Sequence, residues 1–318
     1  MAPRRRIGKK LFRSFLPIWL LLALAAVIAL ASIIYGVSRP PRRPYLVTPQ
    51  AFSQISGPVL RITDETWRNR DGTNARGWLL RGAPGAPAVI FLHRYGADRS
   101  WLFNLGVKLN ETANFTILWP DLRGHGLNPP VSWTSFGTRE GDDLLAALDF
   151  LRTLKGASAT RLVGNHIGLY GVELGAYTAL LGASHDPLVQ VLVLDSVPGN
   201  ADDLLSSALR DDIGIDNKVL RYLARGAIRV YFLGKYQNAS SCQMAASLKI
   251  SRVLLLSGKD SGSLRDSTIS LGQCFSAQAS VEAKTDLPLT GFNITSGTGE
   301  QGDFYDRQVI DFFDRNLR

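Results

Sequence analysis

Five short apolar runs recur along the chain: PAVIFLH at 87–93, FTILWPD at 115–121, IGLYG at 167–171, VQVLVLDS at 189–196 and RVLLLSG at 252–258. Each is continuous rather than alternating, the pattern of a strand covered on both faces. Helical patterns lie between them. One falls near 100–112, and 174–184 is a helix of small residues. REGDDLLAALDFLRTL at 139–154 places Leu144, Leu148 and Leu151 on one face, with Asp142 and Asp143 near its positive end. A last helix at 303–316 turns Val309, Phe312 and Phe313 inward. Such alternation dictates an α/β fold, a mostly parallel twisted sheet with helices on both faces. VLRITDETW and NARGWLL flank Asp71-Gly72 and read as an opening hairpin, and TGFNITSG at 290–297 reads as the final strand. Residues 200–250 interrupt the alternation with helical patterns. A helical cap inserted there lies over the carboxyl ends of the strands, where sheets of this kind place their sites.

Ahead of the domain lies FLPIWLLLALAAVIALASIIYGV, 15–37, without a charge. Its length is enough to cross a hydrocarbon core of about 30 Å. Residues 1–43 hold nine of the 36 basic residues and no acid, so the remainder is balanced at 27 of each sign. The net charge of +9 is therefore the flank of an apolar segment and gives no support for nucleic-acid binding, which needs a basic face on the domain. The division expected is a basic tail over 1–14, a transmembrane anchor over 15–37, a Pro/Arg-rich linker over 38–50 and a folded domain over 51–318. The basic tail favours a cytoplasmic N-terminus and an extracytoplasmic domain. A cleaved signal peptide is the alternative, with Ala29 to Ala31 as its cleavage pattern.

Two cysteines, Cys242 and Cys274, are compatible with one disulfide in such a location or with two free thiols. The four histidines (His93, His125, His166 and His185) are scattered and none pairs with a cysteine, so no metal is implied. Glycine-rich dinucleotide and P-loop patterns are absent from the strand–helix turns, and no cofactor is expected.

Six motifs in order carry a resemblance: DGTNARGWLLRG, FLHRYGADRS, DLRGHGLN, IGLYGVELGAYTAL, VLLLSGKD and GEQGDFYDRQVIDFFDRNL. Together they resemble the α/β-hydrolase superfamily, in its membrane-associated lipase-like and serine-aminopeptidase-like branch, over residues 58–318. The resemblance implies a nucleophile elbow at Gly171-Val172-Glu173-Leu174-Gly175, an oxyanion loop with Arg94 and Tyr95, and Leu174 as the residue after the nucleophile. It places the acid at Asp260, with Ser261 as the other register, and the base at Gln301 or Glu300.

That chemistry needs a serine, a histidine to take its proton and an acid to orient the histidine. Glu173 stands at the serine position, and the sequence has no histidine after His185. Arg94 replaces a glycine that lets backbone N–H groups approach an oxyanion. The expectation is a membrane-anchored protein with a retired triad, binding an unidentified ligand or protein partner. In it, Arg94 or Lys259 would hold the buried glutamate. The alternative is a hydrolase acting on an ester, lipid or epoxide through Glu173 with Asp260 or Glu300.

Overall fold

The computed structural model describes residues 4–56, 62–156, 160–250 and 252–318. The first positions of the opening hairpin, 59–61, lie outside them. Helix α1 (Arg4–Val37) contains the apolar stretch, and α2 (Pro49–Ser56) precedes the sheet. The sheet has eight strands: β1 (Ile62–Arg68), β2 (Asn74–Leu80), β3 (Ala86–Leu92), β4 (Thr116–Pro120), β5 (Val163–Val172), β6 (Val189–Asp195), β7 (Arg252–Gly258) and β8 (Ser280–Leu287). Their spatial order is β1-β2-β4-β3-β5-β6-β7-β8. β2 runs antiparallel to both β1 and β4, and every later pairing is parallel.

Successive side chains of the central strands go to opposite faces, as the pleat requires. On one face Ile90, Leu92, Leu169, Leu192, Leu194 and Leu255 pack with α4 (Thr138–Thr153) and α5 (Leu174–Ala183). On the other, Phe91, Trp119, Tyr170, Val193 and Leu256 pack with α3 (Phe103–Ala113) and α10 (Gly299–Leu317). Apolar residues on both faces explain why these strands lack alternation in the sequence.

Between β6 and β7 the chain leaves the sheet. It forms α6 (Ala201–Ser207), a π-helical turn over Ala208–Asp212, α7 (Lys218–Tyr231) and α8 (Ser241–Ser247). Helix α9 (Ser263–Leu271) then bridges β7 and β8. Cys242 of α8 and Cys274, just past α9, form a disulfide.

The final strand is not at 290–297. It is β8, SVEAKTDL, an edge strand paired only with β7 and mostly open to solvent. With one neighbour and little to bury, it carries charged residues and shows no apolar run. Residues Gly291–Ser296 instead form a short 3-10 segment. Gly291 is pressed there so closely that an added Cβ would lie 2.6 Å from the Tyr170 hydroxyl. The last helix also begins earlier than 303, at Gly299, because Thr298 and Gln301 close a capping box around its first turn.

Candidate functional site

β5 ends at Val172, α5 starts at Leu174, and Glu173 alone makes the turn between them. It does so at φ 49° and ψ −105°, a backbone conformation that costs an L-residue strain. Two glycines allow the crossing. A Cβ on Gly171 would lie 2.4 Å from the Gly175 carbonyl carbon, and one on Gly175 would lie 2.1 Å from the Leu92 carbonyl oxygen. The Glu173 N–H donates to the Asp195 carbonyl at 3.0 Å, tying the turn to the end of β6.

The glutamate side chain is fully buried. Its Oε2 accepts from the Tyr95 backbone N–H at 3.0 Å, in the loop after β3. Its Oε1 lies 2.9 Å from the Ser207 hydroxyl, which in turn lies 2.9 Å from Asp211 Oδ2. Ser207 has one proton for two acceptors. If Glu173 is protonated it can donate to Ser207, which then donates to Asp211, and all three are satisfied. If it is ionised, one carboxylate goes without.

The electrostatics point the same way. Burial raises the Glu173 pKa from 4.5 to about 7, with Arg94 opposing the rise and Asp212 adding to it. Arg94 is not bonded directly to the glutamate. Its Nη1 donates to the Tyr95 carbonyl at 3.0 Å and stands 3.8 Å from Asp212 Oδ1. Its guanidinium lies over the rings of Trp101 and Phe292. Lys259 is exposed. Of the two cations expected to hold Glu173, Lys259 is excluded by its exposure, and Arg94 acts on the carboxyl through space rather than through a hydrogen bond. A backbone N–H and a hydroxyl hold Glu173, because the cap delivers Ser207 and Arg94 is drawn to Asp212.

Asp260 follows β7 in the short helical turn Lys259–Ser261. Its Oδ2 accepts from the Thr290 N–H at 3.1 Å and the Thr290 hydroxyl at 2.8 Å. Ser261 only closes its own turn, donating to the Gly258 carbonyl. Gln301 is spent on the capping box with Thr298, and Glu300 is exposed on the first turn of α10. The structure joins Glu173, Tyr95 and Leu174 at the elbow, with Arg94 beside them. It joins Asp260 to the loop after β8. No hydrogen bond or ion pair ties Glu300 or Gln301 to Glu173 among the described residues.

Asp195, at the end of β6, is buried and takes bonds from the Gly291 N–H at 2.7 Å, from Ser196 at 2.6 Å and from the Tyr305 hydroxyl. Burial pushes its pKa up to about 6. Asp195 and Asp260 thereby both fasten the loop that follows β8. An aspartate ending an apolar strand is a visible signal for Asp195. Ser207, Asp211 and Asp212 had none, since their role comes from the cap folding back over the elbow.

The histidines are structural in their contacts. His93 bonds the Arg94 carbonyl through Nδ1 and accepts the Leu122 N–H through Nε2, which fixes a neutral ring. Burial lowers its pKa to about 4 and that of His125 to about 3. His166 reaches the Leu317 carbonyl, and His185 the Leu181 carbonyl. Among the described residues no group of His, Cys, Asp or Glu is arranged to hold a metal.

No family model matches the chain, and no curated protein does. Solved structures do. The esterase Pf2001 of Pyrococcus furiosus aligns with TM-score 0.64 at 20% identity, over 88% of this chain and 100% of its own. The α/β hydrolase GrgF of Penicillium sp. sh18 gives 0.60 at 16% identity, over 81% and 99%. The acetyl xylan esterase of Paenibacillus sp. R4 gives 0.57 at 16% identity, over 91% and 94%. Identities this low carry the fold and leave the chemistry open. In strand order, in the strained residue after β5 and in its structural neighbours, this chain has the α/β-hydrolase fold.

Proposed function

We propose that this is a membrane-anchored protein of α/β-hydrolase fold that has given up hydrolysis and binds a ligand or protein partner. The observation that carries the reading is the bond from the Tyr95 N–H to Glu173. A hydrolase of this fold keeps such a donor free for the oxyanion of its substrate. Here the elbow residue's own carboxyl occupies it. In this reading Glu173, Asp260 and Gln301 or Glu300 are the vestigial nucleophile, acid and base positions, and Arg94, Tyr95 and Leu174 the former oxyanion loop.

The anchor is the apolar stretch Phe15–Val37 of α1, the helix long and apolar enough to cross a membrane among the described residues. The basic residues ahead of it favour a cytoplasmic N-terminus with the domain outside. The Cys242–Cys274 bond suits that side of the membrane.

One observation favours a second reading, a carboxylate-based hydrolase. Glu173, with its pKa near 7, feels Asp212, is linked to Asp211 through the Ser207 hydroxyl and could exchange a proton at neutral pH. Turnover of a panel of aryl esters and epoxides by the full chain separates the two. The first reading predicts wild type and Glu173→Gln alike at the rate of buffer. Turnover by wild type that Glu173→Gln abolishes establishes the second.

A further inference from the structure

Helix α7 leaves one apolar side exposed among the described residues. Val219, Tyr222 and Val230 are 66%, 75% and 73% exposed, and Leu223 is half exposed. At helical spacing these four and Gly226 share one face. The opposite face buries Ala224 and Ile228 in the core. A third side carries Arg221, Arg225 and Arg229, and each is engaged within the protein, with Asp216, Ser206 and Asp202 respectively. The polar side is satisfied and the apolar side is bare, the reverse of an ordinary surface helix. A patch of this kind marks an interaction site.

The end of α1 indicates what covers it. Residues 15–29 stand clear of the domain, whereas Ile34 and Val37 are buried, and Leu30 and Ile33 pack on the core that Ala227 of α7 also joins. Arg39, just past α1, donates to the Tyr231 hydroxyl of α7. The uncharged part of α1 that stands clear, 15–29, reaches only about 22 Å at 1.5 Å per residue. A hydrocarbon core of about 30 Å needs roughly five residues more, and those are the turns docked beside α7. A spanning α1 therefore draws α7 down to the bilayer surface.

We propose that α7 lies in the membrane interface, with Val219, Tyr222, Leu223 and Val230 among the acyl chains of the leaflet nearest the domain. The occupant is the phospholipid bilayer itself, and the contact is apolar, since the arginines of α7 are already paired. The proposal rests on the anchor reading above. It also fixes how the cap, and with it the elbow, is carried relative to the membrane.

The test is spin labelling of the full chain in vesicles of phosphatidylcholine, with and without phosphatidylglycerol. Single labels go at Val230→Cys, at Ile28→Cys in the anchor and at Asp311→Cys on α10, and collisions with oxygen and with a water-soluble nickel chelate are measured. The expected result is an oxygen-to-nickel ratio raised at 28 and 230 above that at 311, unchanged by phosphatidylglycerol. A lipid-like ratio at 28 with a water-like ratio at 230 overturns the α7 proposal and leaves the anchor standing. A water-like ratio at both 28 and 230 removes the anchor and this proposal with it. A label at 230 shielded from both reagents means a protein surface covers α7, and also overturns it.

Discussion

Glu173 combines two costs that a folded chain rarely accepts together, a strained backbone and a buried carboxyl. The backbone term is of order 1–3 kcal/mol and comes with the elbow. The carboxyl term depends on pH. Its pKa rises from 4.5 in the open chain to about 7 in the fold, so the unfolded chain gives up its proton first. Stability contributed by protonated Glu173 is complete below about pH 4.5 and is lost as pH climbs to about 7, a change of about 3 kcal/mol. Gln at this position keeps an acceptor for Tyr95 and a donor for Ser207 without the charge. Glu173→Gln should match wild type near pH 5 and exceed it by about 2 kcal/mol near pH 8, read from urea denaturation at each pH. A difference that stays flat between the two would show that the carboxyl is not held protonated. The glutamate was legible in the sequence as the elbow residue, because Gly171 and Gly175 frame it on a strand–turn–helix that lies in order among five other motifs of the resemblance. Its partners were not, because Ser207 and Asp211 reach it only through the return of the cap, a tertiary event without a local pattern.

At the scale of elements, the central strands were readable because burial on both faces forces continuous apolar runs. β8 was not, because an edge strand with one neighbour can be built from Glu282, Lys284 and Asp286, whose partners are the polar side chains of Arg315, Gln308 and Arg265. The same contrast governs substitution. Gly175→Ala sets a Cβ 2.1 Å from the Leu92 carbonyl oxygen, where backbone must move, and should cost more than about 3 kcal/mol. Gly226→Ala in α7 meets nothing within 4 Å and should stabilise that helix by about 0.5–1 kcal/mol. Thermal unfolding of the two variants, measured side by side, checks the pair; equal midpoints would contradict the elbow geometry. The Cys242–Cys274 bond ties α8 to the chain just past α9 across 32 residues, which in the chain-entropy account is worth about 3–4 kcal/mol. Reduction should lower the unfolding midpoint accordingly, and a midpoint insensitive to reductant would mean that the thiols are free.

For the whole molecule, the cap helices, the apolar helix α1 and the elbow form one connected unit. Val37, the last residue of α1, accepts a hydrogen bond from the Tyr95 hydroxyl at 2.8 Å, and the Tyr95 N–H holds Glu173. The end of the apolar helix α1 is thus two hydrogen bonds from the elbow residue. The fold class and the apolar N-terminal helix could be read from the sequence, one from repeated buried strands and the other from length without charge. This junction could not, since it joins residues far apart in the chain through backbone groups that carry no side-chain signature. The proposed loss of hydrolysis turns on the Glu173 carboxyl occupying the Tyr95 N–H, and the Tyr95 amide reports on that directly. In an amide NMR titration of the full chain, the Tyr95 N–H resonance should move with a midpoint near pH 7 in wild type and stay still in Glu173→Gln. A Tyr95 resonance that does not titrate in wild type, or that moves equally in the variant, would contradict it.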